Sequence, residues 1–309
     1  MRGAFARTLT QLAEQDERIM LLTGDLGFMA LEPFSDRFPG RFLNAGVAEQ
    51  NMVGVATGLA ESGFLPFVYS IVTFATLRPF EFIRNGPVLH DLPVRIVGIG
   101  GGFEYGHAGP THFGLEDVGV MRTLPGMTVI APADHLQAAT AIQATWDHPG
   151  PVYYRLGKDD RTEVPGLEGR FELGRAQIAS EGSDVCLVVM GSIAHEASVA
   201  VERLGEQGIS AGLVIVASLS PPPVDDLVDV LGRFDHVVTI EAHTASGGVG
   251  SLVAEVIAEA GLGCRLERCA VRSRFDGIAG GQRFHWERHG LTADQVAQGV
   301  AQSVATLVS

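Results

Sequence analysis

The chain has 309 residues, 46% apolar and 19% charged, enough for two domains with sizeable buried cores. A formal net charge of −14 without any clustered Lys/Arg stripe argues against nucleic acid or an anionic membrane as a partner. Three scattered cysteines (Cys186, Cys264, Cys269) make neither a disulfide framework nor a closed zinc site, and no signal peptide or apolar run of the ~20 residues of a membrane span is read, so the expected setting is cytoplasmic.

In chain order, an amphipathic helix over Ala4–Gln15 precedes a buried strand, Ile19–Thr23. Helix Ala48–Ser62, strand Phe64–Val68, helix Thr73–Leu89 and strand Val94–Ile99 follow. Then come strand Thr128–Ala131, helix Asp134–Trp146 and strand Val152–Arg155. Strand-length apolar runs alternating with helical periods predict a mostly parallel sheet covered on both faces. The polar segment after Arg155, with Pro165, reads as a boundary. Beyond it the alternation restarts with strand Val185–Met190, helix His195–Gln207, strand Gly212–Val216 and helix Val224–Leu231. Strand Val237–Glu241, helix Gly250–Ala260, strand Leu266–Cys269 and a last helix from Thr292 complete it. The expected fold is therefore two three-layer α/β domains with mostly parallel sheets, residues 1–165 and 184–309, joined by a linker over 166–183.

Two glycine-rich turns follow strands, "TGDLGFMAL" and "GIGGGFEYG", and neither has the G-x-G-x-x-G spacing with an adjoining helix that a dinucleotide phosphate needs; in the second, Phe103 stands where the third glycine belongs. The densest chemistry lies in "GGGFEYGHAGPTHFGLEDVGVMRTLPGM", where Glu104, Tyr105, His107, Thr111, His112, Glu116 and Asp117 crowd one constrained loop. Such a loop beyond a strand's carboxyl end is where open α/β sheets build their sites. A metal reading pairs His107 and His112 with Glu116, although their spacing departs from that of helical ligands; backbone-satisfied loop histidines are the plain alternative. Phe74, Leu77 and Phe80 stand at i, i+3 and i+6, one helix face, which serves equally as core or as a wall for a flat ring. Glu49 stands at the start of the helix in "NAGVAEQNMVGVATGLAESG", an acid at the mouth of a buried segment, where the helix dipole favours it.

The motifs "VAEQNMVGVATGLAESGFLPFV", "TFATLRPFEFIRN" and "GPTHFGLEDVGVMRTLPGMTVIAPAD", in that order and spacing, resemble the pyrimidine-binding domain of transketolases. "IEAHTASGGVGSLVAEVIAE" followed by "ERCAVRSRFDGIAG" is similar to the transketolase carboxyl-terminal domain. The G-D-G…N motif with which those enzymes hold the cofactor's diphosphate and divalent metal is absent. The chain thus resembles one subunit of a split transketolase. The resemblance implies thiamine diphosphate as cofactor, and Mg or another divalent cation bound mainly by a partner. That partner would be the amino-terminal-half subunit, in an α2β2 heterotetramer.

Residue by residue, the resemblance makes Glu49 the carboxylate that meets N1′ of the aminopyrimidine and so promotes loss of the thiazolium C2 proton. It sets Phe74, Leu77 and Phe80 against the pyrimidine ring and Asp25 near the cofactor and the subunit interface. It makes His112 a proton-transfer group facing substrate and Arg155 a binder of substrate phosphate. Where the family usually reads E-D-G-P-T-H, this chain has Ala108 in place of the aspartate, with His107 as its expected compensation, so a substrate other than the standard pentose-phosphate pair is expected. The implied activity is transfer of a two-carbon ketol or acyl unit. The alternatives are a 2-oxo acid decarboxylating subunit, a deoxyxylulose-phosphate-synthase-like carboligase, a non-catalytic subunit that kept the fold, and a metal hydrolase using both loop histidines.

Overall fold

The computed structural model describes residues 1–272, 274 and 277–308. Within "ERCAVRSRFDGIAG", Ser273, Phe275 and Asp276 lie outside the described residues. The first unit runs α1 (Arg2–Gln15), β1 (Ile19–Thr23), α2 (Glu32–Arg37), β2 (Phe42–Asn44), α3 (Glu49–Glu61), β3 (Leu65–Ile71), α4 (Val72–Thr76) and α5 (Phe80–Ile83). It continues with β4 (Arg95–Ile99), α6 (Asp117–Arg122), β5 (Thr128–Ile130), α7 (His135–Thr145) and β6 (Val152–Leu156). These six strands lie in the order β5-β6-β4-β3-β1-β2, all parallel. Every residue of β1, β4, β5 and β6 is buried, as a sheet covered by helices on both faces requires.

The second unit comprises β7 (Gln177–Ser180), β8 (Val185–Val189), α8 (Ala194–Glu206), β9 (Ala211–Ile215), β10 (Ser218–Ser220), α9 (Val224–Leu231), β11 (His236–Thr244), α10 (Val249–Ala260), β12 (Arg265–Val271), α11 (Gln282–His289) and α12 (Ala293–Val308). Its sheet has the order β12-β11-β8-β9-β7, parallel except for the edge strand β7. The expected class, two α/β units with mostly parallel sheets, is what the chain forms.

Three details depart from the sequence reading. Strand β7 falls inside the segment read as linker. Strand β10 leaves its own unit and pairs antiparallel with β5, extending the first sheet. The helix expected over Thr73–Leu89 is broken into α4, α5 and a wide turn over Arg84–Val88. Pro79 has no N–H to give and disfavours helical backbone at the residue before it; Pro87 sits in the wide turn for the same lack of a donor.

One buried cation belongs to the scaffold. Arg95, fully buried at the start of β4, donates from Nε to the Trp146 carbonyl at 2.9 Å and from Nη1 to that of Gly150 at 2.8 Å. Its Nη2 donates to the His148 carbonyl. The turn between α7 and β6 thereby has three of its carbonyls satisfied by one side chain.

Candidate active site

The strand order reverses beside β1: β2 lies on one side of it and β3 on the other. Open α/β sheets place their ligands at such a switch point, beyond the carboxyl ends of the strands. Glu49 occupies this crevice. It opens α3, and its side chain lies against Gly24 at the end of β1, where an added Cβ would come within 3.4 Å of Glu49 Cγ. Ser70, at the end of β3, has its hydroxyl 3.5 Å from Glu49 Oε1, long for a hydrogen bond. The carboxylate is only 1% exposed, and the amino terminus of α3 favours its charge.

Its strong partner is Arg78, which the sequence reading did not single out. Arg78 Nη1 donates to Glu49 Oε2 at 2.6 Å, while the same guanidinium lies 4.2 Å from the centre of the Phe74 ring. The break after α4 makes this possible, because Arg78 stands just beyond the helix and folds back over a residue four positions earlier. That spacing of an aromatic and a cation was the available signal. His112 approaches from the other side, its ring edge-on to Phe74 at 5.0 Å, with Nδ1 3.0 Å from the Thr111 hydroxyl. Phe74, Leu77, Arg78, Thr111 and Glu116 share the lining of a cleft of about 270 Å³. Glu116 is half-buried there, and burial pushes its carboxyl above the usual range. Glu49, Phe74, Leu77 and His112 are therefore brought together.

The remaining candidates are placed otherwise. Phe80 lines a separate groove with Arg84, Val88 and Leu89, on the far side of the helix break. Asp25 is exposed on left-handed backbone at the crevice mouth, where its N–H and Oδ1 engage the Asn44 side chain. His107 is exposed on the site loop and lies against Gly281 of the second unit.

The expectation for Arg155 needs correcting. Its side chain is 3% exposed and is enclosed between the two units. Nε donates to Asp117 Oδ2 at 2.9 Å, and Nη2 donates to the carbonyls of Gly114 and Ala242, each at 2.9 Å. Tyr153 donates to the same Asp117 oxygen at 2.7 Å. A charge so far from water is retained by partners of this kind, and it is not presented to a substrate phosphate.

Behind this joint, Glu241 accepts N–H bonds from Val249 and Gly250, both at 3.0 Å. Burial, opposed by those bonds, pushes its carboxyl up to about 7. Burial pulls the neighbouring His243 imidazole down to about 4. Gly119 N–H donates to His243 Nε2 at 3.3 Å, so the neutral ring is an acceptor at the start of α6. These groups hold the two units and the site loop in register.

The donor set of the crevice suits a flat, N–H-bearing ring: a buried carboxylate to receive a hydrogen bond, an aromatic wall, and already a planar guanidinium making both contacts. Among the described residues no cluster of three His, Cys, Asp or Glu side chains is placed to hold a metal, and no helix is long and apolar enough to cross a membrane.

Comparison with known proteins identifies both domains. Residues 1–162 match the family model "Transketolase, pyrimidine binding domain", and residues 174–296 match "Transketolase, C-terminal domain". The chain is 35% identical over 299 residues to the 6-deoxy-6-sulfo-D-fructose transketolase subunit SqwH of Clostridium sp. strain MSTE9, covering 96% of this chain and 92% of that one. It is 36% identical over 301 residues to the 1-deoxy-D-xylulose-5-phosphate synthase of Syntrophotalea carbinolica, covering 96% of this chain and 47% of the synthase. A solved structure described as "Split gene transketolase, inactive beta4 tetramer" superposes with a TM-score of 0.89 at 35% identity over 98% of both chains. The chain belongs to the transketolase family, and it is similar to the subunits of split members that carry the pyrimidine-binding and carboxyl-terminal domains.

Proposed function

We propose that this chain is the pyrimidine-binding subunit of a thiamine-diphosphate-dependent, transketolase-like enzyme that is active only with a second subunit. The observation that carries the reading is Glu49: a carboxylate 1% exposed, at a helix amino terminus, linked through Arg78 to Phe74 at the switch point of a parallel sheet. When bound, the cofactor would supply a nucleophilic carbon suited to cleaving the bond beside a ketone, the chemistry that transfer of a two-carbon or acyl unit requires. Glu49 would receive a hydrogen bond from the ring, a charge-assisted bond strengthened by exclusion of water. Phe74 and Leu77 orient the ring by contact, and Asp25 stands at the crevice mouth toward the subunit interface. His112, with Nδ1 engaged by Thr111, has Nε2 as the nitrogen that holds or gives a proton to a substrate oxygen. His107, exposed on the same loop, takes the contact with substrate that Ala108 cannot make.

The diphosphate and Mg would be held by the partner, an amino-terminal-half subunit, in an α2β2 assembly. The naming of a relative as a transketolase subunit supports this. Similarity to a deoxyxylulose-phosphate synthase supports a second reading, carboligation after decarboxylation of a 2-oxo acid. The two are separated by assaying the two-subunit complex with a ketose phosphate and with pyruvate. Ketol transfer from the ketose is expected, whereas carbon dioxide release from pyruvate alone would overturn the first reading.

A further inference from the structure

We propose that Arg78 is a placeholder for the cofactor's aminopyrimidine ring, neutralising Glu49 and covering Phe74 in the free subunit and swinging out when the ring binds. This rests on the thiamine reading of the same crevice. A single planar side chain already makes both contacts the ring is to make, an N–H bond to Glu49 Oε2 at 2.6 Å and a face contact with Phe74 at 4.2 Å. Ring and guanidinium therefore compete for one volume and one acceptor.

The side chain is also able to leave. Arg78 is 38% exposed at the helix break beyond α4, on a long flexible stem with solvent to turn into. Its departure does not strand the acid, because one charge-assisted bond to Glu49 replaces another. Without either partner, Glu49 would be a buried carboxylate with only the long contact to Ser70, which is costly. The guanidinium thus keeps the free subunit stable and sets a threshold that cofactor binding must overcome.

The two effects of removing Arg78 therefore have opposite signs, which a merely structural residue would not show. In Arg78→Met the free full-length chain should melt at a lower temperature than wild type. The two-subunit complex should bind thiamine diphosphate about tenfold more tightly by calorimetry. Arg78→Lys, which keeps the charge without the planar fork, secures the test should the methionine variant not fold; it too should bind the cofactor more tightly than wild type. In arginine-labelled wild-type complex, the Arg78 guanidinium resonances should move to the values of a solvated side chain on addition of thiamine diphosphate. Unchanged or weakened cofactor affinity in the variants, with wild type binding normally, would overturn the placeholder role alone. Failure of wild-type complex to bind thiamine diphosphate would overturn the cofactor reading and this inference with it.

Discussion

Arg155 and Ala242 meet across the joint between the two sheets, the buried Arg155 guanidinium donating through Nη2 to the Ala242 carbonyl at 2.9 Å. The same nitrogen holds the Gly114 carbonyl, two residues beyond His112, so one side chain fixes both the domain joint and the base of the site loop. Arg155→Met leaves Asp117 buried without its charged partner, and the chain should lose about 3–5 kcal/mol of stability in urea denaturation. Arg155→Lys should restore little of it, because one ammonium cannot reproduce the planar fork that spans three acceptors.

Arg95 makes a comparable prediction away from the site. Arg95→Met removes the donors from three turn carbonyls, those of Trp146, His148 and Gly150. A loss of about 3 kcal/mol is expected by thermal or urea unfolding, with cofactor affinity of the surviving folded complex unchanged.

Stability against pH should expose the Glu241–His243 pair. With Glu241 pushed from 4.5 up to about 7, the folded chain keeps a proton that the unfolded chain has released. That contribution is full below about pH 4.5 and is lost as pH rises to about 7. His243, pulled from 6.5 down to about 4, works in the other direction, and its contribution falls as pH drops through that window. Between 4.5 and 6.5 the two slopes oppose each other, each at most about 1.4 kcal/mol per pH unit. His243→Asn should therefore make unfolding free energy fall more steeply than wild type as pH rises across this range, measured by urea titration at several pH values.

Phe74 and His112 should separate binding from turnover in the two-subunit complex. Phe74→Ala removes the aromatic wall, and thiamine diphosphate affinity should weaken about tenfold, the scale of one stacked ring contact. His112→Gln should leave that affinity near wild type and lower kcat by about 10²–10⁴, the usual contribution of a proton-transfer group.

Much of this site was legible in the sequence because it is built from local signals. A glutamate opening the helix of "VAEQNM" lands in the crevice because strand–helix alternation fixes a parallel sheet, and its switch point lies beside β1. Phe74 and His112 follow from their motifs. The misses are tertiary. Phe80 drops out because Pro79 breaks the helix that put it on one face with Phe74 and Leu77. The resemblance makes Arg155 a phosphate ligand, and only the fold brings Asp117, Gly114 and Ala242 around it. Strands β7 and β10 are short antiparallel edges set by pairing across the chain, which leave little periodicity to read.

The proposed role of Glu49 is to activate a thiamine cofactor shared with a second subunit. It is tested most directly by exchange of the bound cofactor's C2 hydrogen for deuterium, followed by acid quench and proton NMR in wild-type and Glu49→Gln complexes. Exchange should be slowed by about 10²–10⁴ in the variant while thiamine diphosphate still binds. Exchange at the wild-type rate in a fully loaded Glu49→Gln complex would contradict that role.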